Sequence, residues 1–315
     1  MRVFVTGATG YIGGTVTRRL LDGGHEVIGL VRSGDSASSA SERLEAIGAE
    51  PHVGNLEDLD SIEQGVAAAE GVVHAAMSIP DYNRLDLVFA NERAVVEAML
   101  SALAGTGQPF IYTSGAAVYE DTGDKVVDET DPADAKGDVA LRAALEQDVL
   151  KAAEHDVRSI VIRPGMVYGK GGSGIMHVQA GLVRQFGGAC TVGDGSNAWS
   201  AIHVEDLADL YLLALEHGPA GSLFNAGTED FVTMRDIASA IARTLDLEGP
   251  VTAWPVEEAR GALGPMADAL TTNKRMSSAR ARTALDWHPH RPGLIEEIEH
   301  GSYPAAFTAT GEQAE

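Results

Sequence analysis

The chain has 315 residues, 44% hydrophobic and 22% charged, a length and composition that suit one or two domains around a sizeable core. Forty-six acidic residues against 23 basic ones give a formal net charge of -23, which repels nucleic-acid backbones and anionic lipid and excludes both as expected partners. A single cysteine, Cys190, allows no internal disulfide and no cysteine-built metal site. No apolar run approaches the ~20 residues of a membrane span. The opening Met1-Arg2-Val3-Phe4-Val5 already reads as a strand rather than a leader, so a cytoplasmic protein acting on a small molecule is expected.

In chain order, Val3–Val5, Val27–Val31, Val72–Ala75, Phe110–Thr113 and Ile160–Arg163 read as strands. Helix-length segments lie between them, near 12–22, 57–69, 84–104 and 138–155. Strand-helix alternation predicts a doubly wound α/β fold, a parallel sheet with helices on both faces. The strands are nearly continuous in Val and Ile, as burial on both faces requires. After Arg163 the pattern loosens, glycines crowd 165–195, and Asp206–Glu216 and Thr233–Leu245 read as amphipathic helices. Asp206 is the expected cap of the first, and Thr233 of the second with Asp236 at its third position. This predicts a dinucleotide-binding domain over 1–165, a smaller substrate region over 166–302 whose strands return in part to the first sheet, and a frayed tail over 303–315.

Thr6-Gly7-Ala8-Thr9-Gly10-Tyr11-Ile12-Gly13 follows a strand and opens a helix, the context that gives a glycine motif its meaning. Gly7 takes the tight turn, Gly10 lets backbone approach a pyrophosphate, and Gly13 lets helix and strand pack closely. The free amides at the helix start, around Thr9, Tyr11 and Ile12, then face phosphate. At the end of the second strand an acidic residue would hold a ribose 2′-hydroxyl. The sequence has Arg32-Ser33 instead, a pair suited to a 2′-phosphate, so NADP(H) is expected rather than NAD(H).

Thr6–Gly13 and its surroundings resemble the extended short-chain dehydrogenase/reductase superfamily, of the NAD(P)-dependent epimerase/dehydratase type, over nearly the whole chain. The resemblance implies a Rossmann-type fold and further cofactor contacts. Asn55-Leu56 is similar to the segment that holds the adenine edge, with Asn55 in place of the usual Asp. Ala75, Ala76 and Met77 follow the stretch beneath the nicotinamide ribose, and Asn91 falls on the family's helix asparagine. Thr113, and Pro164, Met166 and Val167 beside the nicotinamide, complete the set. In relatives, helices corresponding to 84–104 and 138–155 pair between copies, so a homodimer is implied.

The catalytic centre departs from the family pattern. Tyr-x-x-x-Lys is usual, the Tyr moving a proton and the Lys lowering its pKa and holding ribose. Aligned on Glu146, Asp138 stands at the Tyr position and Arg142 at the Lys position. Both are candidates for the catalytic set; the competing reading makes them helix-surface charges, with Asp138 a cap. Gly115 falls on the usual catalytic hydroxyl, and Ser114 is the nearest substitute, aimed either at the pocket or at backbone. The look is of an atypical subgroup that carries His-x-x-x-Arg, although the His is missing here. The loop from Met77 to Tyr82, with Ser78, and also Tyr119 and Tyr168, are candidates for substrate contact. No metal site is expected: His203-Val204-Glu205-Asp206 reads as a buried His beside a helix cap, and Cys190 as a filler.

These residues point to an NADPH-dependent oxidoreductase acting on a small organic carbonyl or imine. An epimerase, dehydratase or isomerase using the dinucleotide transiently, and a non-catalytic NADP(H)-binding regulator, are the alternatives. A sugar-nucleotide substrate is disfavoured, because Lys170 and Arg184 are the cations noted in the 165–200 segment.

Overall fold

The computed structural model describes residues 1–34, 37–77, 84–247 and 249–311. β1 (Arg2–Thr6), α1 (Tyr11–Asp22), β2 (Glu26–Arg32), α2 (Ala37–Glu45) and β3 (Glu50–Gly54) form the first half of the winding. After α3 (Leu59–Ala67) come β4 (Gly71–His74), α4 (Leu85–Leu103), β5 (Pro109–Thr113), α5 (Val139–Lys151) and β6 (Arg158–Pro164). The chain then makes β7 (Met166–Tyr168), α6 (Gly174–Phe186), β8 (Cys190–Val192), β9 (Ala198–Trp199), β10 (Ala201–His203) and α7 (Val204–His217) before β11 (Ser222–Ala226). Among the described residues, seven of these strands form one parallel sheet in the order β11-β6-β5-β4-β1-β2-β3.

Alternation along β1 shows why both faces are covered. Val3 and Val5 pack with Val16 and Leu20 of α1 and Leu207 and Leu210 of α7. Phe4 points the other way, among Ile62 of α3, Val96 and Met99 of α4, and Leu145 of α5. No helix of the described residues is long and apolar enough to cross a membrane.

Two sheet strands carry weak sequence signals. β3, Glu50-Pro51-His52-Val53-Gly54, is an edge strand with only Gly54 buried, and its pairing to β2 holds it in place. Proline is tolerated there because an edge strand has one ladder to make. β11 is short but buried, and it returns to pair with β6.

The remaining elements are β12 (Val232–Thr233), α8 (Met234–Thr244), β13 (Thr252–Trp254), α9 (Val256–Leu263), α10 (Met266–Ala269), α11 (Ala279–Leu285), α12 (Leu294–His300) and α13 (Tyr303–Gly311). Short strand pairs β7/β10, β8/β13 and β9/β12, with α6, α8, α12 and α13, enclose a second core around Met176, Ile241 and Ile298. The expectation of a frayed tail is corrected over 303–311: α13 docks there because Tyr303 and Phe307 are fully buried. The cap expected at Asp206 is also corrected. His203 occupies the N-cap of α7, its Nδ1 accepting from the Glu205 amide at 3.2 Å, while Asp206 accepts the amides of His290 and Arg291. Thr233 does cap α8, accepting from the Asp236 amide at 3.0 Å.

Candidate active site

The chain leaves β1 toward β2 and β3 on one side and returns to β4, β5 and β6 on the other. A crevice opens at such a reversal, beyond the carboxyl ends of the strands. A cleft of about 650 Å³ lies there. Gly7 and Thr9 after β1, Arg32 at the end of β2, Asn55 and Leu56 after β3, and Ala76, Met77 and Asn91 on the β4–α4 side all line it.

The glycine loop is built as its spacing requires. Gly7 has a φ of +72°, and its carbonyl accepts the Gly10 amide at 2.8 Å. A Cβ on Gly13 would lie 2.2 Å from the Gly7 carbonyl oxygen, so only glycine lets α1 approach this closely. Gly10, the N-cap of α1, supplies no side-chain bond, which leaves the first amides of the helix, at Tyr11 and Ile12, without a side-chain cap. The Tyr11 side chain turns away from the cleft and donates to the Gly169 carbonyl at 2.8 Å; any part it takes in the cleft is through backbone.

At the β2 end, Arg32 and Ser33 are exposed, and the Ser33 amide donates to the Gly54 carbonyl at 2.8 Å. Two further arginines line the same cleft: Arg43 from α2 and Arg84 just before α4. Sequence reasoning missed both. Arg43 sits on a helix with only Ala40 and Leu44 buried, too faint a periodicity to be read as an element.

The other end is buried and differently built. His74, at the end of β4, is 2% exposed, and its Nδ1 lies 2.8 Å from Thr6 Oγ1. Burial, helped by the nearby Arg142, lowers its pKa to about 4, so the ring is neutral. Its ring stacks on Tyr112 at 6.1 Å between centroids. Arg142 of α5 is 8% exposed and donates to the Thr113 carbonyl at 2.7 Å. The reading of Arg142 as a surface charge is therefore corrected. Its guanidinium stands 6.0 Å from the ring centroids of both Phe89 and Tyr112. Glu92 of α4 is its counter-charge at 3.6 Å and accepts from the Tyr112 hydroxyl at 2.9 Å. Burial works against the Arg142 charge, but Tyr112 and Glu92 outweigh it and keep the guanidinium protonated. Burial raises the Glu92 pKa, offset in part by Arg142 and Tyr112.

Glu92 was also missed, although its signal was present. It falls four residues after Val88 and three before Val95, on the buried stripe of an apolar helix. A carboxylate on such a stripe requires a partner.

Four buried polar atoms in this region make no hydrogen bond: His74 Nε2, Glu92 Oε2, Arg142 Nε and Ser114 Oγ. Native proteins leave few such atoms unpaired without a reason, an unseen water or ligand among them. For Ser114, the backbone-bonding reading does not hold; its amide donates to the Ile162 carbonyl at 2.8 Å, but its hydroxyl bonds nothing. Thr113 directs its hydroxyl to Tyr211, 2.6 Å away.

Several expected contacts are corrected. Asp138 is exposed at the N-cap of α5, makes no side-chain cap bond and is not among the residues that line this cleft. The expectation of a side-chain cap is therefore corrected. Tyr119 is consumed in the core: its hydroxyl accepts from Arg163 at 2.7 Å and reaches Asn225 Oδ1 at 3.0 Å, while Arg163 is paired with buried Glu146. Tyr168 donates to the Pro292 carbonyl at 2.8 Å. Neither hydroxyl is free for a substrate. Ala75 follows β4, Pro164 ends β6, and Met166 and Val167 lie in β7; like Ser114 and Arg142, they are not part of the lining of this cleft. Ser78 and Tyr82 lie outside the described residues.

The NAD dependent epimerase/dehydratase family model matches residues 3–227. An uncharacterized protein of Schizosaccharomyces pombe is 34% identical over 304 residues, covering 96% of this chain and 100% of that one. The 4-hydroxy-2-methyl-3-oxo-4-farnesyl-3,4-dihydroquinoline-1-oxide ketoreductase of Stigmatella aurantiaca is 28% identical, over 83% of this chain and 78% of its own. The crystal structure of a dTDP-glucose 4,6-dehydratase from Streptomyces venezuelae with NAD bound has a TM-score of 0.81 at 17% identity, covering 99% of this chain and 98% of that one.

Proposed function

The chain belongs to the NAD dependent epimerase/dehydratase family, a family of NAD(P)-dependent enzymes, and on that premise we propose that it is an NADPH-dependent oxidoreductase of a small organic carbonyl or imine. One observation carries the cofactor choice. On a chain of net charge -23, three arginines, Arg32, Arg43 and Arg84, line one cleft together with the glycine loop. Arg32 and Arg43 suit a 2′-phosphate, and the helix-start amides after Gly10 suit the pyrophosphate. The unpaired polar atoms at the buried end fit the polar groups of the other nucleotide half.

Bound there, the dinucleotide would supply a hydride to an electrophilic carbon. The chain's own residues would position the reactants and exclude water. Ser114, with its hydroxyl uncommitted, orients the polar atom of the substrate. Arg142 supplies fixed positive charge beside Thr113 and cannot give up its proton. The hydroxyls of Tyr112, Tyr119, Tyr168 and Tyr211 are engaged inside the protein, which leaves the proton that follows hydride to solvent or to the Tyr82 loop, outside the described residues. An exposed Asp138 is poorly placed to stabilise a cationic imine, so carbonyl and imine stand on equal terms. A sugar-nucleotide substrate is disfavoured by geometry too: Lys170 is paired with Glu205 at 2.9 Å and Arg184 donates to the Phe307 carbonyl.

The exposed Asp138 favours a second reading, a non-catalytic NADP(H)-binding regulator. The test has two parts. Titration with NADPH and NADH should show at least tenfold tighter binding of NADPH, the scale of one charge-assisted contact (about 1.5 kcal/mol). A panel of carbonyls and imines should then show NADPH oxidation. Equal affinities would overturn the cofactor choice. Tight NADPH binding with no turnover on any member would favour the regulator.

A further inference from the structure

Glu92 is an unusual residue for this cleft. A dinucleotide site gathers positive charge for phosphates, yet here a carboxylate 7% exposed sits in the wall. One of its oxygens is occupied, Oε1 accepting from Tyr112 and standing 3.6 Å from the Arg142 guanidinium. The other, Oε2, is buried without a partner. An ionised carboxylate can only accept hydrogen bonds, so whatever completes Oε2 must donate. Phosphate oxygens would be repelled. On a dinucleotide, neutral donors are the ribose hydroxyls and the amides or amines of the bases.

Position selects among them. A dinucleotide in an open α/β sheet spans the point where the strand order reverses, one nucleotide on each side. Arg32 and Arg43 stand on the β2–β3 side. Glu92 stands on the other: it bonds Tyr112 of β5, and its partner Arg142 bonds Thr113 at the end of the same strand. We propose that Glu92 is a cofactor-contacting residue, its free Oε2 accepting a hydrogen bond from a ribose hydroxyl of the nicotinamide half while Oε1 holds Arg142 in place. The Glu92–Arg142 pair thus offers an acceptor and a fixed cation on the nicotinamide side. His74 Nε2, unpaired in the same cleft wall, is the neighbouring group able to share the ribose.

This inference rests on the dinucleotide reading, and half-ligands separate the two. NADPH spans both ends; 2′,5′-ADP carries only the adenosine end. Binding is read by calorimetry on the whole chain, with no turnover needed. Glu92→Gln keeps the shape but, with its amide oxygen held by the Tyr112 hydroxyl, puts a neutral NH2 where the charged acceptor stood, and should weaken NADPH on the order of tenfold. It should leave 2′,5′-ADP within about twofold, the scale of a remote substitution. Glu92→Asp keeps the charge and withdraws the oxygen by one methylene, and should give the same selective loss if Glu92→Gln does not fold. Unchanged NADPH affinity in either folded variant, or equal losses for NADPH and 2′,5′-ADP, overturns the inference. If 2′,5′-ADP binds the unaltered protein no better than ADP, the NADPH reading fails instead. The Glu92 comparison is then made with NADH against ADP, under the same criteria.

Discussion

The two ends of the cleft hold charge by opposite means. At the β2–β3 end, Arg32 and Arg43 are exposed and carry their charge in water. At the β4–β5 end, Arg142 and Glu92 are buried, face each other at 3.6 Å, and share their surroundings with a histidine that burial keeps neutral. An exposed charge costs little to keep and is screened by salt, so it can be lost without harm to the fold. A buried pair is costly to break, because the survivor is left uncompensated. One end should therefore report on ligand alone, and the other on ligand and stability together.

The sharpest way to break this contrast is Arg142→Ala. It strands Glu92 in a dry wall and should destabilise the dinucleotide-free protein by about 3 kcal/mol. Urea unfolding at neutral pH measures this, and an unchanged midpoint would put Arg142 in the same class as Arg32. The next effect is one of pH. His74 has a folded pKa of about 4 against an ordinary 6.5, so the unfolded state takes up a proton first as pH falls. Its contribution to stability is complete above 6.5 and is lost between 6.5 and 4, a total on the order of 3 kcal/mol at 1.36 kcal/mol per unit. Unfolding free energies at pH 7, 5.5 and 4.5 should fall less steeply in His74→Gln than in the unaltered chain. Glu92 works with the opposite sign. Its raised pKa means stability declines as pH rises from its ordinary value toward the folded one, so Glu92→Gln should steepen the acid loss.

Arg32→Ala should weaken NADPH on the order of tenfold, weaken NADH much less, and leave the melting temperature unchanged. The effect should shrink as salt is added. A fall in melting temperature would mean that Arg32 is not the solvated charge its exposure implies. Arg43→Ala should follow the same pattern with a loss of a few fold, typical of an exposed pair. Asp138→Asn is the smallest change: melting temperature, dinucleotide affinity and any turnover should all stay within about twofold, as for a surface site. A tenfold loss of turnover would restore Asp138 to the catalytic set.

The glycine loop and the strands that flank it were legible in sequence because their causes are local. Gly7 must adopt a positive φ, and Gly13 must leave room for the Gly7 carbonyl one helical turn on. The doubly wound fold and the family followed from the order of such landmarks. Asp138 and Arg142 looked alike, two charges four residues apart near the start of one helix. Only the neighbours separate them: α5 turns Arg142 under Phe89, Tyr112 and Thr113, and leaves Asp138 in water. Tyr119 and Tyr168 failed as pocket residues for the same reason, since their hydroxyls find Arg163, Asn225 and Pro292 from distant segments.

What the sequence by itself determined is the set of features in which a residue's role depends on backbone within a few positions of it. These are the glycine loop, the Arg32 at a strand end, the Thr233 cap and the nearly continuous apolar run that lets β1 be buried on both faces. What only the tertiary structure decided is which polar groups meet. Glu92 and Arg142 lie on different helices, His74 and Tyr112 on different strands, and Arg43 on an element too faint to read alone. Hydrogen bonds and desolvation act over a few ångströms, and chain order does not reveal which distant residues the sheet brings within that range. The chemistry of the buried end is therefore a property of the packing of α4 and α5 against β4 and β5.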